Sequence, residues 1–148
     1  MSKIVMIFAS MTGNTEAIAD EIAEGIREAG GDVTQKYVMD SSGSELLQYD
    51  GILLGAYTWG DGELPDEFLD FYEELDELEL SGKKAAVFGS CDSSYAEYGA
   101  AVDTLTAKLQ ELGAEIALDG LKIELSPSQA EKELCRQYGV RFVEKLKE

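Results

Sequence analysis

Apolar residues in this chain fall into two patterns that alternate from end to end. Residues 3–9, 52–56 and 85–89 are short, nearly unbroken apolar runs. Runs of that length without polar alternation predict strands buried on both faces of a sheet. Between them, apolar residues recur every three or four positions. Ile18, Ile22 and Ile26 form one such stripe, with Glu16, Asp20, Glu21, Glu24 and Glu28 around the rest of the wheel. That pattern predicts an amphipathic helix, which Gly30-Gly31 stops. Residues 33–38 are more polar and suit an edge strand. Pro65 can open a helix at its first turn, with Phe68, Tyr72 and Leu75 as its stripe. Val102, Leu105, Leu109 and Leu112 predict a further helix, ended by Gly113. Residues 114–118 read as the last strand, and 121–125 continue it past Asp119-Gly120. Ser126-Pro127-Ser128 caps a final helix with Leu134, Tyr138, Phe142 and Leu146 on one face.

Five strands alternating with helices imply an α/β fold: a doubly wound parallel sheet covered on both faces and joined by right-handed crossovers. The 148 residues suit a single domain spanning 1–148, with no repeat or linker. In open sheets of this kind, ligands bind beyond the carboxyl ends of the strands where the winding reverses. The loops after the first, third and fourth strands converge there, and they are the least ordinary in the chain. The first reads Ser10-Met11-Thr12-Gly13-Asn14-Thr15. Ser10, Thr12, Asn14 and Thr15 offer side-chain donors beside the free N–H groups of a helix start, and Gly13 allows close backbone approach. One helix cap needs a single such residue, so the excess points to a phosphate. The loop holds no Lys or Arg and no Walker pattern, which argues against nucleotide triphosphate hydrolysis. The second loop carries the only tryptophan, Trp59, in a turn between Thr58 and Gly60. The third, from Ser90 to Tyr98, adds Tyr95 and Tyr98. Two loops presenting aromatic rings over one pocket suit a flat ring system held between them.

Charge narrows the partners. Twelve Lys and Arg against thirty Asp and Glu give a formal net charge of -18. Nucleic acid and anionic membrane would be repelled, and basic protein partners are favoured. Positions 61 to 79 hold ten acids and no Lys or Arg, beginning in the Trp59 loop. They form a negative rim that would steer basic partners, an effect that fades with salt. The chain has no histidine. His-based acid/base catalysis, His metal ligation and Ser-His-Asp or Cys-His chemistry are therefore excluded. Cys91 and Cys135 match no zinc or iron–sulfur spacing; a backbone role for Cys91 and a core role for Cys135 are expected. The run from Met1 carries no signal-peptide pattern, and no apolar run is long enough to span a bilayer. The expectation is a cytoplasmic, monomeric protein without membrane insertion.

Ser10 to Thr15, Thr58-Trp59-Gly60-Asp61 and Asp92-Ser93-Ser94-Tyr95 together resemble the three cofactor loops of flavodoxins. The resemblance covers essentially the whole chain, lacks the long insertion of long-chain members, and looks nearest to the short-chain flavodoxins of sulfate-reducing bacteria. It implies the strand order 2-1-3-4-5 and bound FMN. Flavodoxin is itself a standard instance of that order with FMN at the switch between the first and third strands, so the placement comes with the resemblance. It also implies roles. Ser10, Thr12, Asn14, Thr15 and Thr58, with the backbone of Met11 and Gly13, would hold the phosphate. Trp59 would cover the inner ring face and Tyr95 the outer. Backbone at Ser90, Cys91 and Asp92, and near Tyr98 and Gly99, would meet the pyrimidine edge. The Gly60–Asp61 peptide would flip on one-electron reduction and favour a neutral semiquinone. Tyr57, and the short loop from Asp61 to Pro65, depart from the family pattern.

The function so implied is low-potential one-electron transfer between semiquinone and hydroquinone, without substrate turnover. One surface charge about 10 Å from the reduced ring costs roughly 0.4 kcal/mol, on the order of 20 mV. A dry slot between two aromatic rings would therefore matter more than the acidic rim. Three rivals are weighed. A flavin-dependent quinone reductase would need a substrate pocket where Tyr95 is expected. A phosphoacceptor signalling domain needs acids after the first strand, where Ala9-Ser10-Met11 stands. A cofactor-free interaction module leaves the loop aromatics unexplained.

Overall fold

The computed structural model describes residues 3–10, 13–58, 63–92 and 99–148. Its parallel sheet runs β2 (Asp32–Tyr37), β1 (Lys3–Phe8), β3 (Gly51–Gly55), β4 (Lys84–Cys91), then an outer edge position built in two pieces. β5 (Glu115–Ile116) pairs with the start of β4, and β6 (Leu121–Glu124) pairs with its end. The order is that of a flavodoxin-like fold, as the sequence implies. The break predicted at Asp119-Gly120 is present. Tyr138, buried on the last helix, donates its hydroxyl to the Asp119 carbonyl at 2.7 Å, so the interrupted edge has a partner from outside the sheet.

Unbroken apolar runs follow directly from the two covered faces. In β1, Ile4, Met6 and Phe8 point into one core with α1 (Asn14–Glu28) and α4 (Gln129–Leu146). Val5 and Ile7, with Ala9, point into the other, with α2 (Asp66–Glu74) and α3 (Ala100–Glu111). Alternate side chains of one strand therefore serve opposite cores, and no position is left for a polar residue. β2 lies at the edge, and its side chains are all exposed or half-buried.

Several expectations change in detail. Pro65 is the residue before α2 rather than its first helical residue. On α2 Phe71 is buried with Phe68, edge to face at 5.5 Å between ring centroids, while Tyr72 is only half-buried. On α4 Leu134 is 51% exposed, and Cys135, Tyr138, Phe142 and Val143 form the buried face. Tyr138 and Phe142 stand where the stripe placed them and Leu146 packs against the same core, while Cys135 supplies the apolar volume expected of Leu134. Val38 leaves the predicted strand and begins a 3-10 turn (Val38–Asp40). A second (Gly43–Gln48) follows, capped by Ser42 and Glu45. β4 extends through Ser90 and Cys91, which are strand residues and not loop. No helix among the described residues is long and apolar enough to cross a membrane.

Candidate cofactor site

Sheet order places the site. β1 and β3 are neighbours, yet the chain leaves β1 toward β2 on the other side before crossing back. The switch point therefore lies between β1 and β3. Phe8 and Gly55 stand side by side at the ends of β1 and β3, with Phe88 in register beside them three residues before the end of β4. The Ala9 amide donates to the Gly55 carbonyl at 3.0 Å and the Ala56 amide to the Phe88 carbonyl at 3.2 Å. The first two loops thus leave the sheet from adjacent positions, and the third leaves the same edge three residues further along β4.

The first loop ends at the start of α1. Gly13 holds φ +90°, a left-handed conformation that disfavours residues with a Cβ, and no described residue lies within 4 Å of where a Cβ would sit. Ser10 turns back on the helix, its Oγ accepting the Glu16 amide at 3.2 Å. Thr15 is 1% exposed, and its hydroxyl is buried with no hydrogen-bond partner among the described residues. An orphaned buried hydroxyl costs about 1–3 kcal/mol. It sits at a helix N-terminus, where the backbone dipole favours an anion. The donor set is neutral hydroxyl and amide, which fits a phosphate.

Thr58 and Gly99 join the second and third loops. The Thr58 Oγ1 accepts the Ala101 amide, in the first turn of α3, at 3.1 Å. The hydroxyl proton stays available for donation. Gly99 precedes α3 at φ +66°, also left-handed. A Cβ there would lie 2.6 Å from Lys122 Cδ and 3.0 Å from Cys91 Sγ. Lys122 crosses Gly99 and ends on Asp103 at 3.0 Å. Nothing local in the sequence marks Lys122 for this place; it depends on the pairing of β6 with β4. Ser90 donates its hydroxyl to the Leu125 carbonyl at 3.0 Å, and the Leu125 amide donates to the Cys91 carbonyl at 2.8 Å. The end of β4 is thereby clamped to the segment after β6.

Burial pushes the Cys91 thiol up to about 11, and it remains a neutral, inert group near neutral pH. Cys135 is buried and pushed up to about 11 for the same reason. Tyr57 donates to Glu67 Oε1 at 3.2 Å, tying the second loop to α2; burial, then the Glu67 charge, pushes its phenol up to about 12. Asp92 is half-buried at the end of the described part of the third loop, and Asn14 is half-buried at the first position of α1. Met11, Thr12, Trp59, Gly60, Asp61, Tyr95 and Tyr98 lie outside the described residues.

The family model for flavodoxin matches residues 6–139. The chain belongs to the flavodoxin family. Flavodoxins are electron-transfer flavoproteins that bind FMN and pass electrons to redox partners. Probable flavodoxin 2 of Bacillus subtilis is 47% identical over 146 residues, covering 98% of this chain and 97% of that protein. The structure of oxidised flavodoxin 1 from Bacillus cereus is 60% identical with a TM-score of 0.94, covering 97% of this chain and 98% of that one. The flavodoxin of Maridesulfovibrio salexigens is 41% identical, covering 88% of this chain and 92% of that protein. The expected special likeness to sulfate reducers is therefore wrong: the Bacillus proteins are more similar.

Proposed function

We propose that this FMN-binding electron carrier works as a single-domain cytoplasmic monomer over 1–148 and docks on redox partners with basic faces, turning over no substrate of its own. FMN supplies the one-electron chemistry, between semiquinone and hydroquinone. The observation that carries the reading is the buried Thr15 hydroxyl at the start of α1, beside the switch point, which has no partner among the described residues. With Ser10, Asn14, the Gly13 backbone and Thr58, it receives the phosphate; Met11 and Thr12 complete the cradle. Trp59 and Tyr95 flank the ring. Backbone at Ser90, Cys91, Asp92, Tyr98 and Gly99 meets its pyrimidine edge, and the Gly60–Asp61 peptide adjusts to its reduction. In a chain of net charge -18, hydroxyls and helix dipoles hold the anion without Lys or Arg in the loop.

Docking is supported by α2. Asp66, Asp70 and Glu73 are exposed there, and Asp66, Glu67, Asp70 and Glu74 line a groove closed on its other side by Val38, Met39 and Ser41. That negative face adjoins the second loop and attracts a basic partner at low salt.

An anaerobic stepwise reductive titration, followed by absorbance, tests the reading. A stable blue intermediate before bleaching supports it. Direct two-electron reduction would favour the flavin-enzyme reading instead, and failure to bind added FMN would sink the assignment of all three loops.

A further inference from the structure

Tyr37 is the last residue of β2 and lies in register beside Phe8, the last residue of β1. Neighbours in register point to the same face, and Phe8 faces the core beneath α1. The Tyr37 ring sits against Phe8 at 4.8 Å between centroids. Its hydroxyl reaches past the strand ends and donates to Glu16 Oε2 at 2.7 Å. Glu16 directly follows Thr15, and its own amide is the one held by Ser10. A carboxylate is therefore built into the first turn that receives the phosphate. Free to swing, it would stand near a dianion and repel it. β2 lies on the side of β1 opposite β3, so a bond to Tyr37 draws this carboxylate away from the switch point.

We infer that Tyr37 is a positioning residue of the phosphate cradle, holding the Glu16 carboxylate off the anion; this rests on the FMN reading above. Tyr37 is 41% exposed, so its hydroxyl has water as an alternative partner and adds little to the fold. What the bond fixes is where a negative charge stands.

The test measures binding of FMN and of riboflavin, which lacks the phosphate, to the apoprotein and its Tyr37→Phe, Glu16→Gln and double variants. Tyr37→Phe weakens FMN by about three- to tenfold, the scale expected when one charge moves a few ångströms nearer a dianion at a half-exposed site. Riboflavin binding and the thermal midpoint stay unchanged. In the Glu16→Gln background, Tyr37→Phe has no effect on FMN. Equal weakening of FMN and riboflavin would mean that Tyr37 acts by packing on Phe8, and it overturns the inference. So does an unchanged FMN affinity in Tyr37→Phe, or a loss that persists without the Glu16 charge. If the unmodified apoprotein binds FMN no better than riboflavin, the cradle reading itself fails, and this inference with it.

Discussion

Two helices of this protein begin in the same way, and their surroundings differ. α1 and α3 both follow a strand that ends at the carboxyl edge of the sheet, and both are preceded by a left-handed glycine, Gly13 at φ +90° and Gly99 at φ +66°. At Gly99 the space is filled by Lys122 and Cys91, and the Ala101 amide is taken by Thr58. Among the described residues, nothing stands within 4 Å of a Cβ position at Gly13, and the adjoining Thr15 hydroxyl is buried without a partner. One helix start is closed by the protein itself; the other is complete only with something that accepts hydrogen bonds. The local backbone is the same in both, so what distinguishes a binding end from a structural end is the account of partners around it.

The contrast is broken most directly at Thr15. Thr15→Val removes a hydroxyl that has no partner among the described residues, so the apoprotein keeps its stability or gains some, while FMN binding weakens by about 1.5–3 kcal/mol, the worth of a hydrogen bond to a charged group. Riboflavin affinity does not change. Calorimetric titration with both ligands checks it, and a marked loss of apoprotein stability would show that the hydroxyl is not an orphan.

Gly99 and Gly13 separate next. Gly13→Ala carries only the conformational cost of the left-handed region, about 1 kcal/mol. Gly99→Ala adds the contact with Cys91 and the Lys122 stem, and loses about 2 kcal/mol in all. Equal losses by urea denaturation would mean that the crowding around Gly99 relaxes freely.

Thr58→Val leaves the Ala101 amide of α3 without its acceptor and costs about 1 kcal/mol of apoprotein stability, a typical capping value. Set beside Thr15→Val, it shows one hydroxyl serving both the fold and the ligand and the other serving the ligand alone.

The smallest effect is read in the thiol beneath Gly99. With its folded-state pKa raised from 9.0 to about 11, Cys91 stays protonated at pH 8 and resists thiol reagents in the folded protein. Burial of the neutral thiol contributes stability that is fully present below about 9 and is lost as pH rises through about 11. Rapid labelling of Cys91 at pH 8 would show that the α3 end is open after all.

What was legible in the sequence is uneven for a physical reason. Ser10, Gly13 and Thr15 announce a helix start with surplus donors, and that chemistry is contained in six consecutive residues. The two-faced burial of β1 shows in its unbroken run because alternation along a strand is a local rule. Lys122 over Gly99 and the Ala101 amide on Thr58 are not legible, because each depends on how one segment lies against a distant one. The stretch from Val38 to Gln48 carries no helical or strand period, so its two 3-10 turns escape pattern reading. On α4 the expected face holds at Tyr138 and Phe142 and fails at Leu134, which looks as apolar as Cys135, and only packing against the sheet decides which of the two is buried.

By itself, then, the order of residues determined the alternation of strand and helix, the family, and the kind of ligand that suits the first loop, since these follow from short-range periodicity and from donors adjacent in the chain. Only the tertiary structure decided that, among the described residues, Thr15 is left without a partner while Thr58 has one, and that Tyr37 stands beside Glu16. Strand register and helix placement set those distances, and hydrogen bonds and charges act through distances in space.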